Sequence, residues 1–164
     1  MKPLNKVVAA FAFALVTAGS AIPSRAGQCS TAKGAGSYAF TLSGTLIIPT
    51  IGPVPIAAVG RADLKADGTV SGTEARNVGG QYADETFKGT FSINADCTGT
   101  TTINFYEQGQ LVRISVLSTI QDDDNNEIRM VQESLTLPNG EVLPAILTVD
   151  ARRIDRNEDC NQDR

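Results

Sequence analysis

The chain has 164 residues, with no histidine, no tryptophan and an excess of acidic over basic side chains, 18 against 14. One domain is expected at this length. The negative charge repels phosphate backbones and anionic lipid, which argues against nucleic acid and membrane surfaces as partners. The lack of histidine excludes Ser-His and Cys-His nucleophile pairs. No metal-ligand cluster of the usual spacing is visible, so neither a metal nor a cofactor is expected.

The N-terminus has the pattern of a secretory signal. MKPLNK supplies two lysines, VVAAFAFALVTAG is an apolar run, and Ser24 and Ala26 place small residues before a cut at Gly27. The run is shorter than the ~20 residues of a membrane-spanning helix. Residues 1–26 are therefore predicted to be removed, giving a secreted or periplasmic protein without membrane insertion. Loss of three of the 14 basic residues leaves 11 against 18 acidic ones, a net charge of −7.

The first half of the mature chain alternates polar and apolar residues with period two, which is typical of half-buried β-strands. A first strand begins near Ser37. VPIAAVGRADLKADGTVSGTEARNV then predicts a hairpin that turns at Asp67 and Gly68. The inward positions of the first, second and fourth strands are predicted to be Tyr38, Phe40, Leu42 and Leu46, then Ile56, Ala58, Ala62 and Leu64, and then Phe87, Phe91 and Ile93.

The second half supplies four more predicted strands. A fifth strand ends before a turn around Gly109, DDDNN separates the sixth from EIRMVQESLTL, and Asn139 with Gly140 marks a hairpin turn before EVLPAILTVDARRI. The directions of Arg113 and Glu133 are left open, because the alternation is irregular near them. The apolar residues that define the fifth and sixth strands are Ile103 and Phe105, then Val112, Ile114, Val116 and Ile120.

Eight sequential antiparallel strands predict an all-β domain over residues 27–154, followed by a flexible tail at 155–164. A closed up-and-down barrel is favoured over a β-sandwich, because closure removes the edge strands and the short connections leave no Greek-key crossover. An outer-membrane barrel fits worse, since the outward positions are largely polar and aromatic girdles are missing. No segment has a sustained helical period.

The up-and-down order brings Cys29, Cys97 and Cys160 to the same end of the barrel. In an oxidising compartment three cysteines predict one disulfide and one free thiol, and this geometry allows any pair. A reactive Cys97 is disfavoured, because the chain has no histidine and the charge of Asp96 raises a thiol pKa. Cys97 is therefore interpreted as half of a structural disulfide.

Three motifs carry a family resemblance: GSYAFTLSG, AAVGRADLKADGTVSGTE and GTFSINADCTGT. They resemble a family of small secreted bacterial proteins that are uncharacterised, and the likeness covers roughly residues 29–108. The resemblance implies a Cys29–Cys97 disulfide, because in that family an early cysteine accompanies the one in DCTGT. At the level of the fold, the barrel resembles allene oxide cyclase and dirigent barrels and lipocalins, but no catalytic motif of those families is present and no activity is carried over.

A site inside the barrel is predicted on the strand GTEARNV. Glu74 and Arg76 share a face with Val70 and Val78, so both are predicted to point inward, as an ion pair or as the polar anchor of a ligand cavity. Apolar wall is expected from Phe40, Phe91 and Phe105. The predicted hairpin that turns at Asp67 and Gly68 also has small inward residues, which would leave room beside the charges or allow the barrel to taper. They are Ala58, Gly60, Ala62 and Gly72.

The leading function is the binding of a small apolar or amphipathic ligand in the barrel. The alternatives are a structural or protein-interaction module and a cyclase-like or isomerase-like enzyme, which is held back by the missing histidine and by the absence of any predicted catalytic residue. A cavity above ~300 Å³ that reaches Glu74 and Arg76 would favour binding, and a packed barrel would favour the structural role. The acidic run at residues 122–127 is interpreted as a solvated turn, because it lacks the spacing and central glycine of a calcium loop. Oligomeric state is left open.

Overall fold

The structure, a computed structural model, describes residues 29–122 and 124–154, in which the chain forms eight strands and no helix. The predicted signal, Cys160 and the predicted tail lie outside the described residues. Within them no helical segment is long and apolar enough to cross a bilayer. The strands are β1 Gly36–Ile48, β2 Gly52–Leu64, β3 Thr69–Val78, β4 Gln81–Ile93, β5 Thr98–Glu107, β6 Gln110–Gln121, β7 Glu127–Thr136 and β8 Ala145–Arg153.

The strands form a closed antiparallel barrel in chain order. Each strand pairs with the next, and β1 pairs with β8 from Tyr38 opposite Arg153 to Leu46 opposite Ala145. This confirms the predicted up-and-down barrel, and the alternative of a β-sandwich was wrong. Closure gives every described strand a hydrogen-bonded neighbour on both sides, although β7 and β8 pair only from Glu127 opposite Arg152 to Val131 opposite Thr148.

The predicted inward faces of β1, β2 and β4 are confirmed by burial. Tyr38, Leu42, Ile56 and Phe87 are buried while their neighbours in sequence on the same strands are more exposed. The apolar side chains of opposite strands therefore meet inside the barrel and form its core.

Two glycines of the β2–β3 hairpin pack against phenylalanine rings and leave no empty space beside them. Gly60 lies opposite Phe40 and Gly72 lies opposite Phe87 in the strand register. A Cβ at Gly60 would lie 2.5 Å from the Phe40 ring, and one at Gly72 would lie 2.4 Å from the Phe87 ring. The room expected beside the charges is therefore occupied at these two positions by phenylalanine.

Strand β6 presents its apolar row to the outside of the barrel. The alternation that defined this strand in the sequence includes Ile120, which is 61% exposed. Inside, Thr119 shares a 3.0 Å hydrogen bond with Thr101 of β5, which satisfies its hydroxyl away from water. The alternate residues of β6 that are buried are Arg113, Ser115, Leu117, Thr119 and Gln121.

A β-bulge explains the irregular alternation on β7. Val116 pairs with Ser134 and Leu117 pairs with Gln132, so Glu133 is an extra residue without a partner on β6. The bulge shifts the inward face from even to odd positions, and Leu135 is buried as a result. Glu133 itself is exposed.

Residues 29–35, here named the plug, cover the end of the barrel where β1 begins and β8 ends. Cys29 is buried and forms a disulfide with Cys97 in the turn between β4 and β5. The plug is also held by Arg153, which donates hydrogen bonds to the carbonyl oxygens of Lys33 at 3.0 Å and Ala35 at 2.9 Å. The disulfide implied by the family resemblance is thus present and fastens one end of the barrel.

Candidate functional site

Five charged side chains form a network in the barrel interior, here named the interior ion cluster: Glu74, Arg76, Glu85, Glu107 and Arg113. Arg113 on β6 donates to two carboxylates across the barrel, to Glu74 Oε1 on β3 at 2.5 Å and to Glu85 Oε2 on β4. Its guanidinium also lies 3.8 Å from the centroid of the Phe105 ring, in a cation–π contact. Arg113 therefore joins β3, β4 and β5 from the inside.

Arg76 extends the cluster toward the end of the barrel opposite the plug. It donates to Glu85 Oε1 and, at 3.3 Å, to Glu107 Oε2 at the end of β5. The Glu85 side chain is fully buried, whereas that of Glu107 is 38% exposed. The cluster thus runs from the buried interior to solvent at the opposite end.

The predicted inward direction of Glu74 and Arg76 is confirmed, but they do not pair with each other. Glu74 bonds to Arg113, and Arg76 bonds to Glu85 and Glu107. Glu74 and Arg76 are long enough to reach opposite charges on other strands, and they pair there instead of with each other.

Glu85 and Glu107 were missed from the sequence, and the direction of Arg113 was left open. Glu85 shares the odd-numbered inward face of Phe87, Phe91 and Ile93 on β4, so that strand carried the signal. No such signal existed for Arg113, because the apolar alternation of β6 belongs to the outer face.

Burial and charge act in opposite directions on the two inner carboxyl groups. Burial, assisted by the charge of Glu85, raises the pKa of Glu74 to about 7 against the attraction of Arg113. Burial also acts to raise the pKa of Glu85, but the charge of Arg113 and the hydrogen bonds from Arg76 and Arg113 outweigh it and hold that pKa below its usual value. Glu74 is therefore the carboxyl group of the pair that takes up a proton first.

A cavity of about 50 Å³ lies inside the barrel and is lined by residues of all eight strands. The predicted wall residues Phe40, Phe91 and Phe105 line it together with Glu74, whereas Arg76 does not. The volume is well below the ~300 Å³ of an ordinary ligand pocket, although it exceeds the ~15 Å³ that one water needs. The cavity suits a few heavy atoms.

One oxygen of Glu74 has no hydrogen-bond partner within the described part of the chain. Glu74 is 4% exposed, and its Oε2 is buried while Oε1 accepts from Arg113. The carboxyl group lines the cavity, whose other lining side chains are mostly apolar. An unpaired, buried carboxyl oxygen costs stability unless a ligand or water completes its hydrogen bonds.

The described residues include no group of three or more acidic, cysteine or histidine side chains that could hold a metal ion. In the acidic turn, Asp122 Oδ1 accepts from the backbone N–H of Asn126 at 2.7 Å. Its carboxylate therefore supports the turn. Cys97 carries no thiol chemistry, since it is oxidised to the disulfide with Cys29.

No protein-family model and no curated protein matches this chain. The family resemblance of the three motifs therefore stays a prediction.

Proposed function

We propose that this protein is a secreted or periplasmic barrel that binds a small, largely apolar molecule in its interior. The unpaired Oε2 of Glu74, a residue that lines an apolar cavity, carries the proposal. A carboxyl group that served only as an ion-pair partner would have both oxygens satisfied by the protein, because a buried unpaired polar atom costs about 1–3 kcal/mol. Here Oε1 accepts from Arg113, and Oε2 has no hydrogen-bond donor among the described residues.

The size of the cavity limits the ligand to a few heavy atoms. Larger molecules require the lining side chains to move, and Met130 is the lining residue best suited to do so because its side chain is unbranched and flexible. The aromatic wall supplies flat apolar surface on which a short hydrocarbon group packs.

The proposed compartment is supported by two independent features. The first 26 residues have the pattern of a cleaved secretory signal, and the Cys29–Cys97 disulfide is compatible with an oxidising compartment. Intact-mass measurement of the protein recovered from the exported fraction tests this. We expect the mass of a chain whose first residue is Gly27. A protein that stays in the cytoplasm and keeps its first 26 residues would contradict the proposed compartment.

Binding in the cavity is tested with xenon, an apolar atom that enters small protein cavities. Xenon added to the ¹⁵N-labelled protein is expected to shift amide signals of residues that line the cavity. Ala62→Leu fills the cavity and should abolish the shifts. Ala39→Leu, at an exposed position on β1, should leave them unchanged. Equal shifts in both variants, or none in the unmodified protein, would overturn the proposal.

A structural or protein-interaction module is the second candidate, and the small volume of the cavity favours it. Under this alternative the interior ion cluster serves stability alone. The xenon experiment separates the two candidates, because a purely structural barrel shows no saturable site that Ala62→Leu removes.

A further inference from the structure

The free oxygen of Glu74 restricts the chemistry of the molecule that the cavity accepts. Above about pH 7, where Glu74 is ionised, Oε2 offers only acceptor lone pairs, so the group facing it must donate a hydrogen bond. A ligand carboxylate or phosphate has no proton to donate and would also meet the charge of Glu85 on the neighbouring strand β4. Anionic ligands are therefore disfavoured at this position.

The charges around Glu74 also disfavour a cation. Arg113 faces Glu74 from β6 and Glu85 faces it from β4, while Gly60, its partner on β2, adds no charge. With Glu74 ionised and Arg76 on β3 itself, the four inner charges of the cluster balance, and Glu107 on β5 lies near solvent. An ammonium group in the apolar cavity would add an uncompensated positive charge and lose its hydration.

A hydroxyl group meets both conditions. It is neutral, it donates to the ionised carboxylate, and it accepts from the carboxyl proton when Glu74 is protonated. Its hydrocarbon remainder would pack against Phe40, Phe105 and the other apolar lining residues.

We infer that the ligand of the barrel is a small aliphatic alcohol whose hydroxyl group hydrogen-bonds to Glu74 Oε2. This inference rests on the proposed function, since it names the class of molecule that the cavity would bind.

The experiment compares three probes of equal length, 1-propanol, propylammonium and propionate, with xenon as the purely apolar probe. Each is titrated into the full, disulfide-bonded protein, and amide chemical shifts give the dissociation constants. At about pH 8, where Glu74 is ionised, we expect 1-propanol to bind about tenfold or more tightly than either charged probe, because only the hydroxyl completes the Glu74 hydrogen bonds without adding charge. Its affinity should also be similar at about pH 6 and about pH 8, on either side of the Glu74 pKa, because the hydroxyl suits both forms of the carboxyl group.

The variant Glu74→Gln supplies a change of selectivity that a structural role would not produce. Its amide oxygen keeps an acceptor for Arg113, so the fold is retained, and its NH₂ group then faces the cavity as a donor. Propionate should consequently gain affinity relative to 1-propanol by about tenfold. Glu133→Gln, at an exposed position on β7, is the matched control and should change neither affinity.

The outcomes separate the inference from the proposed function. Tightest binding of propylammonium, or unchanged selectivity in Glu74→Gln, would overturn the alcohol and leave the binding barrel intact. Binding of xenon without binding of 1-propanol would likewise contradict the alcohol inference and leave the proposed binding function intact. If neither xenon nor any of the three probes binds, both the inference and the proposed function fail.

Discussion

Arg113 is the cation shared by the two most deeply buried carboxyl groups of the interior ion cluster. Its guanidinium contacts Glu74, Glu85 and the Phe105 ring, which belong to three different strands. Desolvating such charges is costly, and the cost is recovered only while the partners remain in place. The cluster is therefore most sensitive to the loss of its shared cation.

Replacing Arg113 with methionine should lower the free energy of unfolding by about 3–5 kcal/mol, because two buried carboxyl groups lose their common partner. The midpoint of urea denaturation measures the effect. Arg129→Met is the control, since Arg129 pairs with Glu127 on the outside and its side chain is 70% exposed. It should leave the denaturation midpoint nearly unchanged, because exposed ion pairs contribute little to stability. Similar losses in the two variants would show that the cluster is not coupled as described.

The raised pKa of Glu74 makes stability depend on pH in a defined direction. The folded protein holds a proton on Glu74 up to about pH 7, whereas the unfolded chain releases it near 4.5. The stabilisation from this proton is therefore complete below about pH 4.5 and lost as the pH rises through about 7. The lowered pKa of Glu85 acts in the other direction, and its contribution is lost only as the pH falls below its usual range.

Glu74→Gln isolates this effect, because the amide does not titrate. Between about pH 5 and about pH 8 the unmodified protein should lose about 1–3 kcal/mol of stability relative to the variant. Urea denaturation of both proteins across that range is the measurement. Parallel curves would show that Glu74 has an ordinary pKa in the folded protein.

Part of the site was predictable at the residue scale because β3 has a regular period. Glu74 falls on the face of Val70, so its inward direction follows from alternation alone. Its partners did not follow, since long arginine side chains reach across strands that are far apart in sequence. Which of several charges Glu74 would meet depends on three-dimensional register, and the sequence carries no local signal for that.

At the scale of the element, β6 reverses the usual relation between apolar residues and the core. Its outer positions carry Ile114, Val116 and Ile120, while its inner positions include the polar residues that bond to β3, β4 and β5. Period two correctly predicts that this segment is a strand. The choice of inner face depends on what the other strands present inside, and hydrophobicity alone therefore cannot make it.

Alanine substitutions on the two faces of β6 test this orientation. Leu117→Ala should lower the free energy of unfolding by about 2–5 kcal/mol, because Leu117 is 3% exposed and its loss leaves a cavity. Ile120→Ala should change it by less than about 1 kcal/mol, since Ile120 is largely exposed. Thermal or urea unfolding measures both. A larger loss for Ile120 than for Leu117 would mean that the strand faces the other way.

The disulfide acts at the scale of the whole molecule by fastening the plug to the turn between β4 and β5. It links residues 68 apart, which corresponds to about 4 kcal/mol in the chain-entropy model. The double variant Cys29→Ser, Cys97→Ser should lose about that much stability in urea denaturation. Dithiothreitol should bring the unmodified protein to the same midpoint and leave the variant unchanged. Non-reducing peptide mapping that recovers Cys97 joined to Cys160 would contradict the assigned pair.

Closure of the barrel between β1 and β8 has a consequence for the connectivity of the chain. Every strand of the ring has two neighbours, so the strand pairing does not depend on which turn between strands is opened. The two ends of the described chain also lie at one end of the barrel, where Ile154 donates a backbone hydrogen bond to Ser37 at 2.8 Å. A circular permutant that joins these ends with a short linker and opens at Gly80 or Gly109 therefore keeps every strand pair. The position at which the chain begins and ends can thus be moved without changing the order of the strands around the ring.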